Sequence, residues 1–326
     1  MLDLIHGANP ENLFKYFKIP VPDKNKILDF STNTNIITWP KIEIDLKFLA
    51  SNYPDPDCRK LIKIISQREN LQPQNILFVN GSNEAIYLLS RIFNDHVGIL
   101  QPNYSEYKRA FYNAQDFYNL NEINNFNAVI ISNPNNPTGK YIPEIYNIAR
   151  SNPNINFIID EAYKDFLLNH EPEPVKNFEN IIILRSLTKI FHLSGVRIGY
   201  LIADENLIFK LKMLQPSWSV NNIAQELAFK FLSDDNFYNN TRKFYKKYTP
   251  EFINLLLASG HEIIKSDVHY FLLKVYDDLN LIRKLLKFGI VVRHTRNFPG
   301  LNGKYIRIAT RFPNENKLFT GILNKK

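Results

Sequence analysis

Between residues 76 and 230 the chain repeats one pattern: a short apolar run, a polar cluster, then apolar positions at helical spacing. The runs Ile76–Val79, Val97–Leu100, Ala128–Ile131, Phe157–Ile159, Ile181–Leu184 and Ile198–Ile202 read as strands. They look buried on both faces, as parallel strands are when crossover helices cover the sheet. The polar clusters fall just after these runs, and ligands of open α/β sheets bind outside the carboxyl ends of the strands. One crevice is therefore expected to collect them.

Past residue 230 the pattern changes. A basic, aromatic helix pattern over Phe237–Leu257 leads to a strand at His269–Val275, a helix at Asn280–Phe288, and strands at Ile290–Arg293 and Tyr305–Ala309. This reads as a small α+β domain, with Ile27–Phe30 a short strand near the N-terminus. The expected division is an N-terminal segment (1–35) packing on the small domain and active site, a large domain (36–230) and a small domain (231–326). At 326 residues and 44% hydrophobic content the chain can bury such a core.

Composition narrows the classes. The +8 balance comes from 40 basic and 32 acidic residues that are scattered, so it argues against nucleic acid and suits a phosphorylated or carboxylated metabolite. One cysteine, Cys58, allows no intramolecular disulfide and no zinc cluster; no metal is expected and a reducing, cytoplasmic setting fits. Met1–Pro10 lacks a signal pattern and no run of 18 apolar residues occurs, so no membrane association is expected.

The clusters themselves carry chemistry. Gly81-Ser82-Asn83 follows a strand and opens a helix pattern through Ile92, where backbone N–H groups can grip a phosphate; alone it is also an ordinary turn and N-cap. Ser132-Asn133-Pro134-Asn135-Asn136-Pro137-Thr138-Gly139 is turn-forming, and Asn136 could donate to a phenolic oxygen. In Asp160-Glu161-Ala162-Tyr163 a buried aspartate at a strand end can hold a pyridinium proton, and Tyr163 can reach a ring hydroxyl. Arg185-Ser186-Leu187-Thr188-Lys189, with Arg197 eight residues on, fits a Schiff-base amine beside a phosphate site.

Taken with Tyr53-Pro54-Asp55-Pro56 and Gly81-Ser82-Asn83-Glu84, these motifs, in this order over nearly the whole chain, resemble the pyridoxal-phosphate enzymes of fold type I, the aspartate-aminotransferase-like α/β fold. The resemblance implies pyridoxal 5'-phosphate as cofactor, bound as a Schiff base to Lys189. It implies that Asp160 pairs with the pyridine nitrogen, Asn136 and Tyr163 hold the ring hydroxyl, and Tyr104 stacks on the ring. Gly81, Ser82, Asn83, Ser186, Thr188 and Arg197 would surround the phosphate. Tyr53 would reach across from a partner subunit, which implies a homodimer.

Within that fold type two relatives compete, histidinol-phosphate aminotransferase and threonine-phosphate decarboxylase of cobalamin biosynthesis. Three features look like the decarboxylase: His6-Gly7-Ala8-Asn9 leading to Ile27–Asn33; Trp218-Ser219-Val220-Asn221; and Arg293 followed by Asn297–Leu301 and Tyr305-Ile306-Arg307. His6 and Gly7 could close over a substrate phosphate, and Arg307 is placed to clamp a carboxylate. Asn33, Asn136 and Arg293 complete the expected substrate side, with Arg296 and Arg311 further cations nearby. Ala8 departs from the glycine usual in these decarboxylases, and the chain is short for them. Phosphothreonine and phosphoserine differ by one methyl, so both remain candidate substrates, and a histidinol-phosphate-type aminotransferase or a repurposed cofactor-binding protein remain the other readings.

Overall fold

The computed structural model describes residues 9–171 and 179–325. Its strands in chain order are β1 (Leu28–Asp29), β2 (Ile76–Val79), β3 (Val97–Leu100), β4 (Gln115–Phe117), β5 (Ala128–Ser132), β6 (Asn156–Asp160) and β7 (Ile181–Ser186). They continue with β8 (Gly199–Ile202), β9 (Ile263–Ile264), β10 (Tyr270–Lys274), β11 (Ile290–Val291), β12 (Arg293–His294) and β13 (Tyr305–Ala309). Seven form the main sheet, in the order β2-β8-β7-β6-β5-β3-β4.

Isoleucine-rich runs make the centre of this sheet because both of its faces are covered. In β5 to β7, Val129, Ile131, Phe157, Ile159, Ile181 and Ile183 pack into one core, and the alternate residues Ile130, Ile158, Ile182 and Leu184 into another. Each such side chain contributes about 1.5–3 kcal/mol on full burial. The sheet is mostly parallel, as expected, and two of its features carry no sequence signal. Strand β8 runs antiparallel between β2 and β7, since a short apolar run carries no sign of its direction. The edge strand β4 was not legible, because Gln115 and Asp116 are exposed and only Phe117 is buried.

A four-stranded sheet, β12-β13-β10-β9, is antiparallel, and β1 pairs in parallel with β11. The expected strand over Ile290–Arg293 is therefore two pieces that belong to different sheets, joined at the buried Val292. Leu13, Phe14, Phe17 and Phe30 share a core with Phe271, Ile306 and Phe319. The helix Asp235–Ala258 gives Phe237 and Tyr245 to the core of the main sheet, and Phe252 and Leu256 to this second core. Residue 230 falls inside the preceding helix, Asn222–Ser233. Among the described residues no helix is long and apolar enough to cross a membrane.

Beneath the carboxyl edge of the sheet lies a buried ionic network. Glu161 pairs with Lys164 at 3.2 Å and lies 2.8 Å from Nε of Arg185, while Arg185 also lies 3.8 Å from Glu69 on the helix Arg59–Glu69. The Tyr146 hydroxyl donates to Glu161 as well. Burial pushes the Lys164 amine down from its ordinary value, opposed by the attraction of Glu161. The network ties β7, which runs into the turn carrying Lys189, to the loop that follows Asp160 at the end of β6. Removing one member of a buried ion pair strands its partners and costs about 3–5 kcal/mol. Glu161→Ala is therefore expected to lower unfolding stability by about that amount in urea titration, with a loss under about 1 kcal/mol showing that the network is not needed.

Candidate active site

All the clusters singled out in the large sheet arrive at one cleft, with about 940 Å³ of empty space including its mouth. Strand ends place them: β2 precedes Gly81, β3 precedes Tyr104, β5 precedes Asn136, β6 ends on Asp160, and β7 ends on Ser186. Arg197 reaches the same edge because β8 is antiparallel, so its entry end lies beside the exit ends of its neighbours.

Asp160 is buried, and both of its oxygens are engaged. The Tyr107 hydroxyl donates to Oδ2 at 2.6 Å, and the Ala162 N–H donates to Oδ1 at 2.9 Å. Burial raises the Asp160 carboxyl above its usual range, while those hydrogen bonds and the charge of Lys189 pull it back toward ionisation. Lys189 sits on the helical turn Leu187–Ile190 directly after β7, with its amine 5.8 Å from the centre of the Tyr163 ring. Tyr104 meets Tyr107 edge-on at 5.8 Å.

At the other end of the cleft the helix Ser82–Leu89 begins at Gly81, whose φ of 73° a side chain would strain. A Cβ there would also fall 2.5 Å from Nη2 of Arg197, so the glycine lets the guanidinium close over the helix start. The Ser186 and Thr188 hydroxyls are 2.6 Å apart and line the cleft with Ser82 and Asn83. Helix N–H groups, two hydroxyls and a guanidinium together form an anion cradle. Arg185 takes no part in it; alternation along β7 turns its side chain to Glu161.

The substrate side comes from the second sheet and the N-terminal segment. Arg307 on β13 donates to Ser31 O at 2.7 Å and to Asn136 Oδ1, and its buried Nε has no partner among the described residues. Arg293 on β12 lies opposite it in register, bound to Asn297 Oδ1 at 2.8 Å and packed over Phe298 at 5.2 Å. Burial, and then repulsion from Arg307, pushes the Arg293 guanidinium down to about 9, so it still carries its charge at neutral pH. The other two cations are spoken for, since Arg296 pairs with Asp278 and Arg311 with Glu315. Asn33 donates to the Tyr163 hydroxyl at 3.5 Å, and its buried Oδ1 has no partner among the described residues. Its carbonyl accepts from Nε2 of His269, a histidine that burial lowers to about 3 and so keeps neutral.

Tyr53 does not enter this cleft. It is 80% exposed and packs at a tilt against Trp218 with ring centres 4.8 Å apart. His6 and Gly7 lie outside the described residues. The sequence reading passed over Tyr107 and His269. Tyr107 had a signal, because a residue three positions after Tyr104 on a helix shares its face. His269 had none, since its partner Asn33 is 236 residues away.

Residues 29–317 match the aminotransferase class I and II family. The chain belongs to that family. This family member is 30% identical to the adenosylcobalamin biosynthesis bifunctional protein CobDQ of Leptospira interrogans over 96% of its own length, and spans 40% of that protein. The histidinol-phosphate aminotransferase structure from Clostridium acetobutylicum is 29% identical with a TM-score of 0.83, covering 91% of this chain and 98% of that one. The L-threonine-O-3-phosphate decarboxylase structure from Porphyromonas gingivalis is 26% identical with a TM-score of 0.78, covering 86% of this chain and 94% of that one.

The cofactor of this aminotransferase-family enzyme is pyridoxal 5'-phosphate, and the cleft fits it. A buried carboxylate is available to a ring nitrogen, an anion cradle to the phosphate, an aromatic face to the ring and an amine to the aldehyde. Lys189→Ala is expected to abolish the visible absorbance of the lysine-bound cofactor and nearly all turnover. An unchanged spectrum and activity in that variant would refute the assignment of Lys189.

Proposed function

We propose that this enzyme decarboxylates an O-phospho-L-amino acid, converting L-threonine O-phosphate to aminopropanol phosphate or L-serine O-phosphate to phosphoethanolamine. The observation that carries the reading is the facing pair Arg293 and Arg307, two buried cations with no carboxylate in ion-pair contact among the described residues. Like charges held side by side out of water call for a ligand bringing more than one anionic group. These substrates carry a carboxylate and a phosphate in one small molecule. Similarity to CobDQ of Leptospira interrogans and to the decarboxylase of Porphyromonas gingivalis supports the same reading.

When bound, pyridoxal phosphate supplies an electron sink for charge developing at the substrate Cα. The chain supplies the rest. Lys189 carries the cofactor; Asp160 holds the ring nitrogen's proton; Asn136 and Tyr163 bind the ring hydroxyl; Tyr104 covers the ring; and Ser82, Ser186, Thr188 and Arg197 hold the phosphate. The unpartnered Nε–H of Arg307 receives a carboxylate oxygen of the substrate, while Arg293 faces its phosphate. Because the carboxylate leaves as carbon dioxide, the Arg307 grip must weaken as the bond breaks. Two of its donors are already shared with Ser31 and Asn136, which limits how strongly it holds the ground state.

A second reading, transfer of the amino group to 2-oxoglutarate in the manner of a histidinol-phosphate aminotransferase, is supported by the likeness to the Clostridium acetobutylicum enzyme. The 2-oxoglutarate acceptor would also bring two anionic groups. We further propose that the active form is a homodimer with Tyr53 reaching the partner's cleft. Exposed Tyr53 and Trp218, with Phe209 and Met213 on the helix Glu205–Leu214, supply apolar surface for such a contact.

Purified enzyme should release carbon dioxide from phosphothreonine or phosphoserine without a keto acid. Glutamate formation dependent on 2-oxoglutarate, with no carbon dioxide, selects the second reading. Arg307→Ala should weaken substrate binding by about a hundredfold while leaving cofactor affinity within a few-fold, and equal losses of both would assign it a structural role. Light scattering should give twice the 38.2 kDa chain mass, whereas a monomer retaining full activity removes the role of Tyr53.

A further inference from the structure

We propose that Tyr107 is a positioning residue: its hydroxyl keeps Asp160 ionised and aimed at the cofactor's ring nitrogen, and so sets how strongly the ring withdraws electrons. The geometry is specific. Tyr107 is 1% exposed and its hydroxyl reaches Oδ2 of Asp160 at 2.6 Å. With Ala162 N–H on Oδ1, two donors from different elements hold the carboxylate in one orientation. The helix Ser105–Ala110 thus begins beside the Tyr104 ring and, one turn on, braces the acid beneath the cleft.

The chemistry follows from competition for a proton. Burial favours the neutral acid, and a donated hydrogen bond favours the carboxylate. Burial and the neighbouring Asp160 charge both raise the Tyr107 phenol well above its ordinary value, so it remains a donor. The groups facing Asp160 are Tyr104 and Tyr107 from this helix, Lys189 after β7, Glu161 and Tyr163 from its own loop, and Tyr270 from β10. Lys189 is the cation among them and Tyr107 the side chain that donates directly to the carboxylate. Without the hydroxyl, a proton shared between ring nitrogen and Asp160 moves toward the carboxylate. The ring then loses positive charge, and the nitrogen joining Lys189 to the cofactor keeps its proton to higher pH.

The test uses the holoenzyme and no substrate, so it stands apart from which reaction the enzyme performs. The visible absorbance of the lysine-bound cofactor is titrated with pH in parent and Tyr107→Phe proteins. The midpoint should rise by about half a unit or more, since a hydrogen bond to a charged group is lost, while the cofactor-free variant melts within about 2 °C of the parent. An unchanged or lowered midpoint in the folded variant overturns the proposal.

Discussion

A carboxylate at the end of a central strand has lost its hydration, and the cleft is organised around what replaces it. Asp160 receives Tyr107 O–H and Ala162 N–H, and feels the charge of Lys189 across the cleft. Tyr107 belongs to the helix Ser105–Ala110, Lys189 follows β7 and Ala162 follows β6, so the setting of the acid depends on the native relation of those elements. The next residue, Glu161, points the other way and locks the same loop to Arg185 and Lys164. One strand end thus serves the site with one acid and the scaffold with the other.

The second sheet poses the opposite problem. Arg293 and Arg307 are brought opposite each other by antiparallel register, each partly solvated by neutral groups: Asn297 for one, Ser31 O and Asn136 for the other. Neutral acceptors hold a guanidinium in place without cancelling its charge. By contrast Arg296 and Arg311 meet Asp278 and Glu315 and become structural. Four arginines within nineteen residues therefore separate into two roles according to whether a carboxylate lies within reach.

The N-terminal segment joins the two systems. Ser31 and Asn33 line the cleft, held by Arg307 and by the neutral His269, while Phe30 is buried against Phe252 and Phe319. Apolar packing anchors the segment, and its carbonyls then meet donors from the second sheet. The cleft is closed on that side by backbone rather than by a rigid strand.

Six of the seven strands of the main sheet and the polar clusters after them were legible in the amino-acid sequence because burial on both faces selects β-branched runs and turns select Gly, Pro and Asn, both local requirements. The order of motifs from Tyr53 to Lys189 was sufficient for the family resemblance for the same reason: each motif is contiguous. Tertiary structure alone decided the rest. The reversed direction of β8, the edge strand β4, the split of Ile290–Arg293 between two sheets, the turning away of Arg185 and the partners of the four arginines all depend on which distant segment packs alongside. Tyr107 and Asp160 are 53 residues apart, and His269 and Asn33 are 236 apart. A short run of residues encodes its own propensity, whereas the hydrogen bond a side chain makes across such a separation is set only when the sheets and cores assemble.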